Sequence, residues 1–117
     1  MWFRPDKTGP KVDWLIITPN HVQGPVPTIL LLNYGGNHEF LFDEEILVTD
    51  SWMRAKDSTV GFHASESTRG KYNHDGDRYV YPVGMLVARG YAVMTACYCD
   101  ISPDPNPEMV DEDGVIL

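Results

Sequence analysis

Thr28–His38 reads TILLLNYGGNH, and the fold of the chain depends on what this stretch forms. The apolar run from Thr28 to Leu32 is bounded by Pro27 and Asn33. A half-exposed strand would alternate polar and apolar residues, so the unbroken run predicts a strand buried on both faces. It is too short to span a membrane. Gly35 and Gly36 then predict a turn, and Asn37 and His38 leave it as polar residues able to face a ligand. The flanking sequence decides whether this is only a core strand or also the floor of a site.

Upstream, residues 12–18 (VDWLIIT) form a second run of high β propensity that stops at Pro19. The linker 20–27 carries Gly24, Pro25 and Pro27 and is short, which predicts that the two strands are neighbours. Residues 1–11 (MWFRPDKTGPK) read as a leading segment in which Pro5, Gly9 and Pro10 oppose regular structure. They contain no extended apolar core, so no signal peptide is visible, although a mature secreted chain would look the same.

Downstream, residues 40–47 mix aromatic residues with Asp43, Glu44 and Glu45, and a helix is left open there. Residues 49–77 are polar and turn-rich, with Trp52, Phe62, Arg69, Gly70 and Tyr72 scattered among them. A connection of that length is functional or disordered more often than passive, and its aromatic residues predict an ordered loop packed on a larger body. In residues 78–89 (RYVYPVGMLVAR), Val80, Val83, Leu86 and Val87 fall at helical spacing. Pro82 suits the first turn of that helix, and Arg89 and Gly90 suit its end. Residues 91–98 (YAVMTACY) return to strand character before Asp100, Pro103, Asp104, Pro105 and Pro107 bring turns.

A helix between two apolar runs favours a parallel crossover, and hence an α/β sheet. Three strands and one helix cannot cover both faces of such a sheet, and Gly114–Leu117 (GVIL) begins another apolar run. The expected fold class is therefore α/β, an incomplete amino-terminal portion of a larger sheet domain.

Composition narrows the function classes. The 117 residues suffice for one ordinary domain, and 43% hydrophobic against 22% charged residues describes a globular chain. With 17 carboxylates against 9 Lys and Arg, the formal charge of −8 gives no basic footprint for nucleic acid or for an anionic membrane. Oligomeric state is not legible. Cys97 and Cys99 fall two apart in a predicted strand, on one face and near the upper separation for a disulfide, which favours reduced or separately packed thiols. No Cys or His cluster completes a metal site, and no cofactor motif is present.

The segments NYGGNHEF (33–40) and ARGYAVMTACYCDISPD (88–104), with Arg69-Gly70 between them and Gly114-Val115 after them, carry a resemblance. From about Val12 to Leu117 the chain resembles the amino-terminal region of the glucuronoyl esterases, carbohydrate esterase family 15. The resemblance implies an α/β-hydrolase domain over residues 12–117, cut before its nucleophile elbow. It implies a serine nucleophile in a Gly-Cys-Ser-Arg-like elbow, then an acid and a histidine, all downstream; no GxSxG occurs in this chain, so no catalytic residue is assigned. The implied substrates are glucuronoxylan or lignin-carbohydrate esters, including the methyl ester of 4-O-methylglucuronic acid, with no cofactor. The implied location is extracellular or periplasmic. Alternatives are another carbohydrate esterase, such as an acetyl xylan esterase, and a non-catalytic carbohydrate-binding or structural fragment.

On that footing Gly35, Gly36 and Asn37 are candidates for an oxyanion-side loop, with a simple tight turn as the competing reading. Arg69, Asp100 and Asp104 are candidates for the rim of the sugar site, or else for loop ordering and turn construction. His38 is expected to make structural or surface hydrogen bonds, and His21, His63 and His74 are isolated in sequence. Ser51, Ser58, Ser65, Ser67 and Ser102 lack an elbow context, and Asp111, Glu112 and Asp113 read as a solvated acidic turn.

Overall fold

A computed structural model describes residues 1–51, 63–73 and 81–102. Three strands, β1 (Trp14–Ile17), β2 (Thr28–Asn33) and β3 (Ala92–Cys97), form a mixed sheet in the order β1-β3-β2. One helix, α1 (Val83–Ala88), precedes β3.

The helix is short because its sequence stops it at both ends. Pro82 occupies the N-cap position, where a missing N–H costs nothing. At the other end Gly90 adopts φ 86°, its N–H bonds the Val87 carbonyl at 3.0 Å, and the Tyr91 N–H bonds the Leu86 carbonyl at 3.0 Å. That pair of bonds is a Schellman closure, which redirects the chain into β3.

The parallel crossover expected between the second and third strands is present: β2 pairs with β3 from Thr28↔Ala92 to Asn33↔Cys97. β1, however, does not lie beside β2. It pairs antiparallel with β3, from Trp14↔Ala96 to Ile17↔Val93, so β3 separates the two strands that the short linker predicted to be neighbours. The physical reason lies in β3. Its side chains are buried at every position except the half-buried Met94, and a strand so enclosed satisfies its backbone only with a ladder on each edge.

The run at residues 28–32 also departs from expectation. β2 alternates rather than being buried on both faces, with Leu30 60% and Leu32 47% exposed. Leu15, Ile17, Leu31 and Val93 pack with Phe40, Val83, Leu86 and Val87, whereas Ile16, Met94 and Leu30 form a row across the opposite face. Among the described residues the helix and Phe40 cover one face, so an apolar sequence reads as two-sided burial while the packing described supplies one side.

Residues 40–47 are not helical: Phe40 closes a 3-10 turn at Asn37–Glu39, and the Asp43 side chain accepts from the Glu45 N–H at 2.9 Å to hold a following turn. Cys97 ends β3, but Cys99 lies in the 3-10 turn Tyr98–Asp100 rather than in the strand. Both side chains are buried, and no disulfide joins them. A hydrogen bond with Cys99, together with burial, pushes the Cys97 thiol well up, so it stays protonated. Asp104, His74, Ser58 and the GVIL run lie outside the described residues.

Candidate functional site

The carboxyl ends of β2 and β3 lie side by side, the place where open α/β sheets present their loops. Asn33, the last residue of β2, shares the core-facing parity of Ile29 and Leu31 and is 1% exposed. Its amide is fully used. Asn33 Nδ2 donates to Thr95 Oγ1 at 3.0 Å and to Asn37 Oδ1 at 2.7 Å, while Asn33 Oδ1 accepts from the Gly36 N–H at 2.8 Å. The glycine turn is therefore fastened to the sheet from beneath.

Asn37 extends the network by donating from Nδ2 to the Asp13 carbonyl at 2.7 Å. Asp100 grips the same residue from the other side, accepting from the Asp13 N–H at 3.2 Å. Its other oxygen accepts from Thr49 Oγ1 at 2.6 Å and Ser51 Oγ at 2.8 Å. Two candidates far apart in sequence, Asn37 and Asp100, thus converge on the backbone of Asp13 at the start of β1.

Arg69 lies apart from that convergence. Its guanidinium pairs with Glu66, with Nη2 2.7 Å from Oε2, and also donates to the carbonyls of Asp43 and Ile46, the latter at 2.9 Å. It staples the 66–69 turn to the 43–46 turn. The next residue connects this staple to the site: the Gly70 N–H donates to the His38 carbonyl at 2.8 Å.

His38 is fully buried, and its Nε2 lies 2.9 Å from the Ser65 carbonyl and 3.0 Å from Thr68 Oγ1. A carbonyl only accepts, so Nε2 carries the hydrogen and Nδ1 presents a lone pair. Nδ1 has no hydrogen-bond partner among the described residues. Burial lowers the His38 pKa from its ordinary 6.5; the Ser65 carbonyl and the charges of Glu39 and Glu66 oppose the shift, and Arg69 adds to it. A depressed histidine pKa means that the unfolded chain binds the proton first. The stabilisation is complete above about pH 6.5 and is lost as pH falls through the folded value. Unfolding free energy followed from pH 7 to 5 should therefore fall more steeply for the wild type than for His38→Gln; equal slopes would refute the assignment.

Sequence reasoning singled out Gly35, Gly36, Asn37, Arg69 and Asp100, and it missed Asn33, Thr95 and Glu39. The parity of Asn33 with Ile29 and Leu31 is a signal for a buried amide, once burial of one face is granted. Glu39 carries no such signal. Among the described residues no group of three His, Cys, Asp or Glu is arranged to hold a metal ion, and no helix is long and apolar enough to cross a membrane.

No known protein-family model matches the chain. Carbohydrate esterase MZ0003, from an unknown prokaryotic organism, is 34% identical over 106 residues, which cover 89% of this chain and 23% of the relative. A solved structure described as a promiscuous CE15 esterase from a marine bacterial metagenome superposes with TM-score 0.71 at 34% identity, over 90% of this chain and 25% of the other. A glucuronoyl esterase from Solibacter usitatus gives TM-score 0.66 at 30% identity, over 87% and 24%. The chain thus spans about a quarter of the length of these relatives.

Proposed function

Since this chain is a partial relative of the carbohydrate esterase family 15 enzymes, we propose that the complete protein is a serine-type hydrolase of glucuronoyl esters. The observation that carries the reading is similarity to carbohydrate esterases across about nine-tenths of the chain. In this reading a downstream serine attacks the uronate carbonyl, a downstream histidine takes its proton and passes it to the leaving alcohol, and water then releases the acid. Gly35, Gly36 and Asn37 form the oxyanion-side framework. Glycine lets the backbone approach the reacting carbonyl, and the Asn33 amide holds that backbone still, which is what preorganised stabilisation of a developing charge requires. Asp100 and Arg69 order the neighbouring loops.

Location outside the cell, or in the periplasm, follows from a polymeric plant-wall substrate. A broader ester range is a second reading, favoured by the neighbour described as promiscuous. The full-length protein should release 4-O-methylglucuronic acid from its methyl ester, and residues 1–117 alone should not, because the chain contains no GxSxG elbow. Release of acetate from acetylated xylan, without cleavage of the uronate ester, would shift the assignment to an acetyl esterase. Turnover of neither substrate would overturn the hydrolase reading.

A further inference from the structure

Gly35 and Gly36 are adjacent but meet different needs. Gly36 sits at φ 108°, a conformation that side chains disfavour. Gly35 is not among the positive-φ glycines, so its backbone would accept alanine. What forbids a side chain there is space. A Cβ at Gly35 would overlap Glu39 Oε2 and Cδ and would lie 2.8 Å from Oε1. The notch left by the glycine is occupied by the Glu39 carboxylate.

That carboxylate is an unusual occupant. Glu39 is 4% exposed, and its Oε2 has no hydrogen-bond partner among the described residues. Oε1 lies 3.5 Å from Lys71 Nζ, and the Tyr72 phenol hydrogen-bonds the carboxylate. Lys71 and Tyr72 belong to the 3-10 turn Lys71–Asn73, so the carboxylate joins the glycine turn to the long connection. A buried carboxylate needs pairing and hydrogen bonds to offset its desolvation, and these two residues supply them.

We propose that Glu39 is the positioning residue of the glycine turn: its carboxylate, seated in the notch at Gly35 and held by Lys71 and Tyr72, fixes the backbone that faces the ester oxyanion. The role rests on the hydrolase reading above. Glu39 acts through the turn and touches no reacting atom.

Gly35→Ala, Glu39→Ala, Glu39→Gln and the double variant Gly35→Ala/Glu39→Ala test this in the full-length protein, with the methyl ester of 4-O-methylglucuronic acid as substrate and thermal unfolding measured alongside. Gly35→Ala and Glu39→Ala should each lower kcat by roughly tenfold to a hundredfold with KM within about twofold, because a small misplacement of oxyanion-stabilising groups acts on the transition state. Glu39→Gln, which keeps the volume and the acceptor for Tyr72, should remain within about threefold of wild type. The double variant should be no slower than Glu39→Ala, whereas independent effects would multiply. Multiplying effects, or a Glu39→Ala kcat equal to wild type, would overturn the proposal. If Gly35→Ala does not fold, the Glu39→Ala and Glu39→Gln pair decides it alone. An inactive wild-type protein would remove the hydrolase reading instead, and the seat of Glu39 would then be judged by unfolding temperatures, where additive losses for Gly35→Ala and Glu39→Ala exclude it.

Discussion

Asn33→Ala should lower the unfolding free energy of the full-length protein by about 3 kcal/mol or more, since each buried polar group left without a partner costs about 1–3 kcal/mol. The substitution orphans the Gly36 N–H, Thr95 Oγ1 and Asn37 Oδ1 together, in a region closed to water. Asn33→Asp separates the two halves of the amide. Its carboxylate can still accept from Gly36 but cannot donate to Asn37 or Thr95, and it introduces a buried charge, so it should be at least as damaging as alanine. Urea denaturation of the three proteins is the measurement. A loss below about 1 kcal/mol for Asn33→Ala would mean that water reaches the network and that the turn is not held by the sheet.

Phe40→Ala should cost about 3–5 kcal/mol, the range for removing a buried aromatic side chain from a core that cannot collapse around the gap. Phe40 is 1% exposed and stacks on Tyr81 at 4.6 Å between ring centroids with 25° between the planes. It also meets the edge of Tyr72 at 5.9 Å and joins Val83 and Val93 in the core. The ring thereby connects the glycine turn, the long connection, the helix and the central strand. Phe40→Leu keeps most of the volume but loses the ring contacts, so it should cost less than alanine; aromatic pairs add only about 0.5–1.5 kcal/mol beyond area burial. Equal losses for leucine and alanine would show that ring geometry, rather than volume, carries the contribution.

Both effects concern the turn after β2, and they show which parts of it sequence could supply. Strand existence was legible for residues 12–18, 28–32 and 91–98, because β-branched and apolar runs bounded by proline, asparagine and glycine leave little else to form. The helix before β3 was legible from its spacing, from Pro82 and from Gly90. Strand order was not. A short linker favours neighbouring strands, yet β3 follows both in sequence and inserts between β1 and β2, a choice made by its need for two ladders.

The site divides in the same way. The sequence by itself determined the strands, the helix stop and the position of the glycine turn, because these follow from φ preference, β propensity and local periodicity. It also carried the resemblance to the glucuronoyl esterases. Only the tertiary structure decided that Gly36 answers a backbone angle while Gly35 makes room for a carboxylate, since space at one residue depends on what another places there. The convergence of Asn37 and Asp100 on Asp13, and of Arg69 and Gly70 on the loops around His38, likewise joins residues distant along the chain. Such contacts arise from packing three strands and their loops together, and no local pattern encodes them.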